Sequence, residues 1–222
     1  MLRIHNEWEN RVIAEYTSAS VTAQVVHWMI ICGLSEEQIQ VGLRIVGDEL
    51  AHARLSHEAL VALDGSSDPA AIDARRLSIP TPEGVWIALI DTILQSFCLG
   101  ETFAVPLFDA MRRNASHPTV VAMLKRVLQD EAIHRAFGWT VLESLLEIDP
   151  EGVKRRVYMK IPSWLKNYQE AYAHGVELND TERSCGLLDG GEYRKIVKNT
   201  IMEGILPRFK KRGIELEYTP LF

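Results

Sequence analysis

The sequence predicts an all-α protein: a four-helix bundle with one long crossover and a C-terminal helical extension. Three observations predict it. Apolar residues recur at alternating steps of three and four through four long stretches of the 222-residue chain. The pattern Asp-Glu-x-x-His occurs twice, at Asp48-Glu49-Leu50-Ala51-His52 and at Asp130-Glu131-Ala132-Ile133-His134. Each of the other two stretches carries a Glu near its midpoint, Glu15 and Glu101.

The first helix is expected from about His5 to Ile31, ended by Gly33, with the inward stripe Trp8, Val12, Glu15, Ala19, Thr22, Val26 and Met29. The second runs from Ser35, with Glu36 to Gln38 in its first turn, to about Leu63. Its stripe is Gly42, Ile45, Glu49, His52, Ser56, Ala59 and Leu63. So short a link makes the pair antiparallel. A crossover follows from Asp64 to Pro82, containing Gly65-Ser66-Ser67-Asp68-Pro69 and Pro80-Thr81-Pro82, with one short helical turn near Ala70 to Leu77. The third helix spans Glu83 to about Arg113, and its stripe holds Ile87, Ile90, Leu94, Phe97, Glu101, Ala104, Phe108 and Met111. Pro106 lies inside it and frees the carbonyl of Thr102, so a local bulge beside Glu101 is expected there. Asn114 to His117 forms the next turn. Pro118 suits the first position of a fourth helix reaching about Leu146, and the stripe runs through Val120, Leu124, Val127, Glu131, His134, Gly138, Val141, Leu145 and Ile148.

Residues 149–222 read as a helical extension packed on the bundle of residues 1–148. It is expected to comprise Glu151 to Lys160, a break at Pro162, Ser163 to Ala173, a loop from Gly186 to Gly191, and a last helix from Glu192 to Arg212. Trp164, Tyr168, Tyr172 and the apolar side of Ile196 to Phe209 are the surfaces with which it would cover the bundle.

Composition narrows the partners. A formal net charge of -6 and the lack of a sustained basic run before Lys210-Lys211-Arg212 argue against nucleic acid. The longest apolar run, Val25 to Cys32, is short and interrupted by His27, so no membrane span and no signal peptide are expected. A cytoplasmic protein is the resulting expectation. Cys32, Cys98 and Cys185 are widely spaced and contain no Cys-x-x-Cys, which excludes a rubredoxin-type iron centre or a zinc ribbon.

The stripes carry the chemistry. On a helix, residues three apart share a face, so each Glu-x-x-His aims an oxygen and a nitrogen at one point. Glu15 with Glu49, and Glu101 with Glu131, each straddle one short turn. The four carboxylates therefore fall in one layer. Buried charges require a partner, and no Lys or Arg occupies any of the four stripes. A metal site is the expected answer.

One inward Glu from each of two helices, plus Glu-x-x-His from each of the other two, resembles the ferritin-like di-iron carboxylate proteins. The resemblance covers residues 5 to 148. It implies that Glu15, Glu49 and His52 hold one metal and Glu101, Glu131 and His134 the other, with Glu49 and Glu131 bridging. It also implies that Asp48 accepts the far ring N–H of His134, and Asp130 that of His52. Four carboxylates and two imidazoles suit two iron ions, or manganese, and leave open positions for dioxygen. Three subfamily marks are absent. Ser56 stands where radical-bearing ribonucleotide reductase subunits have Tyr, Val127 where aminobenzoate N-oxygenases add a His, and Val105 where multicomponent hydrocarbon monooxygenases have Thr. The resemblance thus implies an oxidase or oxygenase of a small organic substrate, drawing on an external electron donor. The pocket would be lined by Leu94, Phe97, Ala104 and Phe108. The competing expectation is ferroxidase, iron-handling or peroxide-scavenging chemistry. The long crossover and added C-terminal region disfavour a storage shell and favour a monomer or homodimer.

Overall fold

The computed structural model describes residues 1–65, 68, 70–171 and 176–221; Ser66, Ser67, Pro69, Tyr172 and Ala173, named above, lie outside them. Helix α1 (Leu2–Ile31) and helix α2 (Glu36–Asp64) pack side by side along their length. Gly33 adopts φ 73°, a left-handed conformation that other residues rarely tolerate, and this turns the chain between them. The side chain of Ser35 then accepts the backbone N–H of Gln38 and starts α2. The third bundle helix, Val85–Asn114, joins α3 (Val85–Thr92), a π-helical stretch (Ile93–Gly100) and α4 (Glu101–Asn114). Helix α5 (Pro118–Ile148) completes the bundle. Helix α2 packs on α5, α5 on the third helix, and the third helix on α1, so the ring closes.

The crossover is anchored to the middle of α1. The Ser20 hydroxyl donates to the Leu77 carbonyl at 2.8 Å, and the Gln24 amide exchanges two hydrogen bonds, of 2.8 and 3.0 Å, with the Ile79 backbone. The expected short turn is a 3-10 helix at Ala74–Leu77.

The inward stripes read from the sequence on α1, α2 and α5 are buried, including their Glu and His members, except at two C-terminal ends, where Leu63 is half-buried and Ile148 is exposed. The third helix behaves differently. Leu89, Ile93, Cys98, Leu99 and Phe103 are buried along with the stripe, because the extension covers its outer side. By length and composition this helix alone, among the described residues, is apolar enough to cross a bilayer, yet 67 % of its most apolar window is buried inside the protein.

The extension consists of α6 (Pro150–Ala171), α7 (Asp180–Ser184), α8 (Gly190–Asn199), a second π-helical stretch (Thr200–Ile205) and α9 (Leu206–Lys211). Val157 and Leu165 of α6, Ile201 and Phe209 share one apolar core with the third helix and α5. Arg156 clamps α6 to that helix. Its guanidinium meets both Asp91 oxygens at 2.6 Å and the Glu83 carboxylate at 2.7 Å. The expected break at Pro162 is not there, and α6 runs through it. Pro162 and Tyr158 both face solvent, so water can satisfy the Tyr158 carbonyl that the proline leaves without a donor. Two reciprocal caps set the remaining starts. Asn179 with Glu182 begins α7, a helix the sequence pattern does not predict, and Asp189 with Glu192 begins α8 two residues before the expected position.

Candidate metal centre

Glu101 owes its place to the distortion before it. Its backbone N–H donates to the Ser96 carbonyl, five residues back, and so closes the π-helical stretch. The distortion therefore lies on the N-terminal side of Glu101 and not at Pro106, where the sequence suggests it. Helix α5 makes room for it: a Cβ on Gly138 would stand 2.5 Å from the Phe97 Cβ and 2.8 Å from the Phe97 carbonyl carbon. Only a glycine one turn beyond His134 admits the bulged backbone.

The structure brings all six expected residues into one buried layer. Both imidazoles turn Nδ1 inward. That of His52 lies 3.7 Å from Glu49, 3.8 Å from Glu131 and 3.9 Å from Glu15. That of His134 lies 3.4 Å from Glu49 and 3.8 Å from Glu131. Two compact triplets result, Glu15–Glu49–His52 and Glu49–Glu101–His134, each able to hold a metal ion. Glu49 belongs to both. Glu131 completes neither of these triplets, whereas the resemblance assigns it to the second metal.

The far nitrogens meet the two aspartates. His52 Nε2 stands 3.0 Å from Asp130 Oδ2 in a buried hydrogen bond. His134 Nε2 is 3.5 Å from Asp48 Oδ2, outside hydrogen-bond geometry. The first pairing places the proton on Nε2 and leaves Nδ1 as a lone-pair donor to the centre. Arg126 also pairs with Asp130 and lies 3.9 Å from Asp48, a cation the stripes do not reveal because it sits on the adjacent face of α5.

Electrostatics describe a site short of positive charge. Burial, then the neighbouring carboxylates, push Glu15 and Glu131 well above the usual carboxylate range, and burial followed by Glu49 pushes Glu101 up to about 8. Burial also opposes ionisation of Glu49. The adjacent His134 and His52 imidazoles outweigh it and hold that carboxyl at about 2. For both imidazoles the desolvation that favours the neutral ring is outweighed by Glu49 and its neighbours, and their pKa values rise.

Both inward Nδ1 atoms and Glu131 Oε2 are buried without a hydrogen-bond partner. Such orphaned groups are costly in a native fold. Ligands at about 2.1 Å from one ion stand roughly 3 Å apart, so the observed separations need little contraction to receive a cation. The donor set fits iron or manganese.

A cavity of about 750 Å³ lies between α1 and the third helix, with all four carboxylates in its lining. Phe97, Ala104 and Phe108 form its apolar side. Leu94, expected with them, packs in the core instead. Two contributors escape the inward stripes: Ser18 donates to Glu49 Oε1 at 2.9 Å, and Arg11 stands one turn before Glu15. Only Arg11 carries a local signal, its i−4 spacing from Glu15. Tyr168 of α6, one of the covering residues expected from the sequence, also reaches the lining.

No protein-family model matches the chain and no curated protein matches its sequence, so the meaning of this centre rests on its own geometry.

Proposed function

We propose that the chain is a ferritin-like, non-haem di-iron oxidase or oxygenase that activates dioxygen to hydroxylate or desaturate a small organic substrate. Two iron ions, or manganese in their place, would be held by Glu15, Glu49, His52, Glu101, Glu131 and His134. The metals supply the redox chemistry of dioxygen. Hydroxylation balances as substrate C–H plus dioxygen, two electrons from an external donor and two protons, giving the alcohol and water.

The protein's own groups do the rest. Ser18 fixes one oxygen of Glu49, the carboxylate shared by both triplets, and Asp130 holds the His52 ring in the tautomer that points Nδ1 inward. Thr22, fully buried with an unpartnered hydroxyl, faces the cavity. The observation that carries the reading is that cavity: a space of about 750 Å³, within the range of small-molecule sites, ends on the four carboxylates. Iron storage needs no organic-sized chamber there.

The test is elemental analysis coupled to oxygen uptake. Purified protein should hold about two iron or manganese ions per chain. Glu49→Ala and His134→Ala should lose them while keeping the helical circular dichroism signal. One zinc, or no metal, would remove the assignment. A hollow assembly of about two dozen chains that takes up iron far beyond two ions per chain would replace it with storage.

A further inference from the structure

We propose that the cavity takes a small carboxylic acid with an apolar body, and that Arg11 is the residue that binds its carboxylate. The inference rests on the functional reading above and deepens it to a substrate class. Among the described residues that line the cavity, Arg11 is the one cation. It is held for a ligand. Its guanidinium lies 4.6 Å over the Phe108 ring and its Nη2 touches the Met111 sulfur at 3.3 Å, so packing fixes its direction without using its stronger donors.

Its nearest acid, Glu7, is 3.6 Å away, beyond hydrogen-bond reach, and Arg11 Nε is buried with no partner. A planar fork held in this way is complementary to a carboxylate. Arg11 and Glu15 are four residues apart on α1, which sets them about 6 Å apart along the axis, and the Arg side chain leans further toward the helix start. Between them the wall is Ile13, Ala14, Ala104 and Phe108. A ligand anchored at Arg11 therefore lies along an apolar wall and presents its far end to the centre. Thr17 and Thr22 also line the cavity, each with a buried hydroxyl that has no partner. A neutral hydrocarbon would leave Arg11 with only its 3.6 Å ion pair to Glu7, and a dianion would bring its second charge against the four glutamates.

The experiment is calorimetric titration of manganese-loaded protein with benzoate, phenylacetate and hexanoate, each beside its neutral amide. At least one acid should bind, with its amide about 10- to 100-fold weaker, the range of a charge-assisted pair. Arg11→Gln should erase that preference while amide binding stays unchanged, and Arg11→Lys should restore part of it. Acid binding that survives Arg11→Gln is direct ligation of the metal and overturns the proposal, as does a failure of all three acids to bind wild-type protein. The comparison of acid with amide needs no variant, so a misfolded Arg11→Gln would not protect the idea. Metal content measured on the same samples separates the two claims. Two ions per chain without Arg11-dependent binding removes the anchor alone, and Arg11-dependent binding to protein that holds no metal removes the redox reading alone.

Discussion

The contact between Gly138 and the π-helical stretch allows a sharp test of how the centre is built. In Gly138→Ala the new Cβ would stand 2.5 Å from Phe97 Cβ, 2.8 Å from the Phe97 carbonyl carbon and 3.0 Å from the Cys98 nitrogen. Ordinary contacts lie near 3.5–4 Å, so α5 and the third helix must part by about 1 Å. Two of the three atoms are backbone and cannot swing aside. Overpacking of this kind costs up to about 3 kcal/mol, and the better helix propensity of Ala returns about 1 kcal/mol. A net loss of about 2 kcal/mol lowers the melting temperature of a chain this size by roughly 4–8 °C.

Gly47→Ala is the matched control. Gly47 lies in α2, and a Cβ added there would meet nothing within 4 Å, so the same substitution should raise the melting point by about 2–4 °C. Because the displaced backbone leads directly into Glu101, Gly138→Ala should also hold less metal per chain, and Gly47→Ala should not. Thermal melts and elemental analysis of the two variants are sufficient. A Gly138→Ala protein that melts at or above wild type, while Gly47→Ala behaves as stated, would refute the close approach and the role given to it.

Two further outcomes follow from the site. The metal-free protein should lose stability as pH rises from about 4.5 through 8: folded Glu101 keeps its proton up to about 8 while the unfolded chain releases it near 4.5, worth on the order of 5 kcal/mol, and the raised His52 and His134 act in the same direction. Glu49, held at about 2, opposes this only below 4.5, and bound metal should reverse the alkaline limb, so melts of chelated and manganese-loaded protein at pH 5, 6.5 and 8 that run parallel would contradict the reading. Asp130→Asn removes the charge that orients His52 and should weaken metal binding about 10- to 100-fold with the fold retained; a competitive chelator titration reads this directly.

The parts legible in the sequence are those governed by period. The stripes on α1, α2 and α5 alternate apolar and polar faces cleanly, so Glu15, Glu49, His52, Glu131 and His134 can be placed inward from spacing alone. The third helix has no polar face, since Leu89, Ile93, Leu99 and Phe103 are buried under the extension, and a period gives no warning that one turn has five-residue spacing. Pro106 marks the right neighbourhood on the wrong side of Glu101. Pro162 misleads for a related reason: α6 tolerates it on its solvent face, and which face a proline occupies is a property of the packed protein. Ser18 and Arg126 reach the site across helices, and no local pattern encodes such a distance.

The bundle divides its labour between helix pairs. Helices α2 and α5 carry both Asp-Glu-x-x-His motifs and contribute only Glu49 and Glu131 to the cavity wall. Helix α1 and the third helix contribute one carboxylate each, and with Tyr168 they make up the rest of that wall. Changes on the inward faces of α2 and α5 would therefore act through a metal held there, because little else on those faces meets the cavity. Changes at Arg11, Thr22, Ala104 or Phe108 alter the shape and charge of the chamber while sparing the six expected ligands. The same separation explains where the extension is placed. Helix α6 packs against the third helix and sends Tyr168 to the cavity, with the Tyr168 ring stacked on Phe103 at 4.4 Å. A covering element on the ligand-bearing pair could only have stiffened the metals' supports; on the third helix it sets the dimensions of the space beside them.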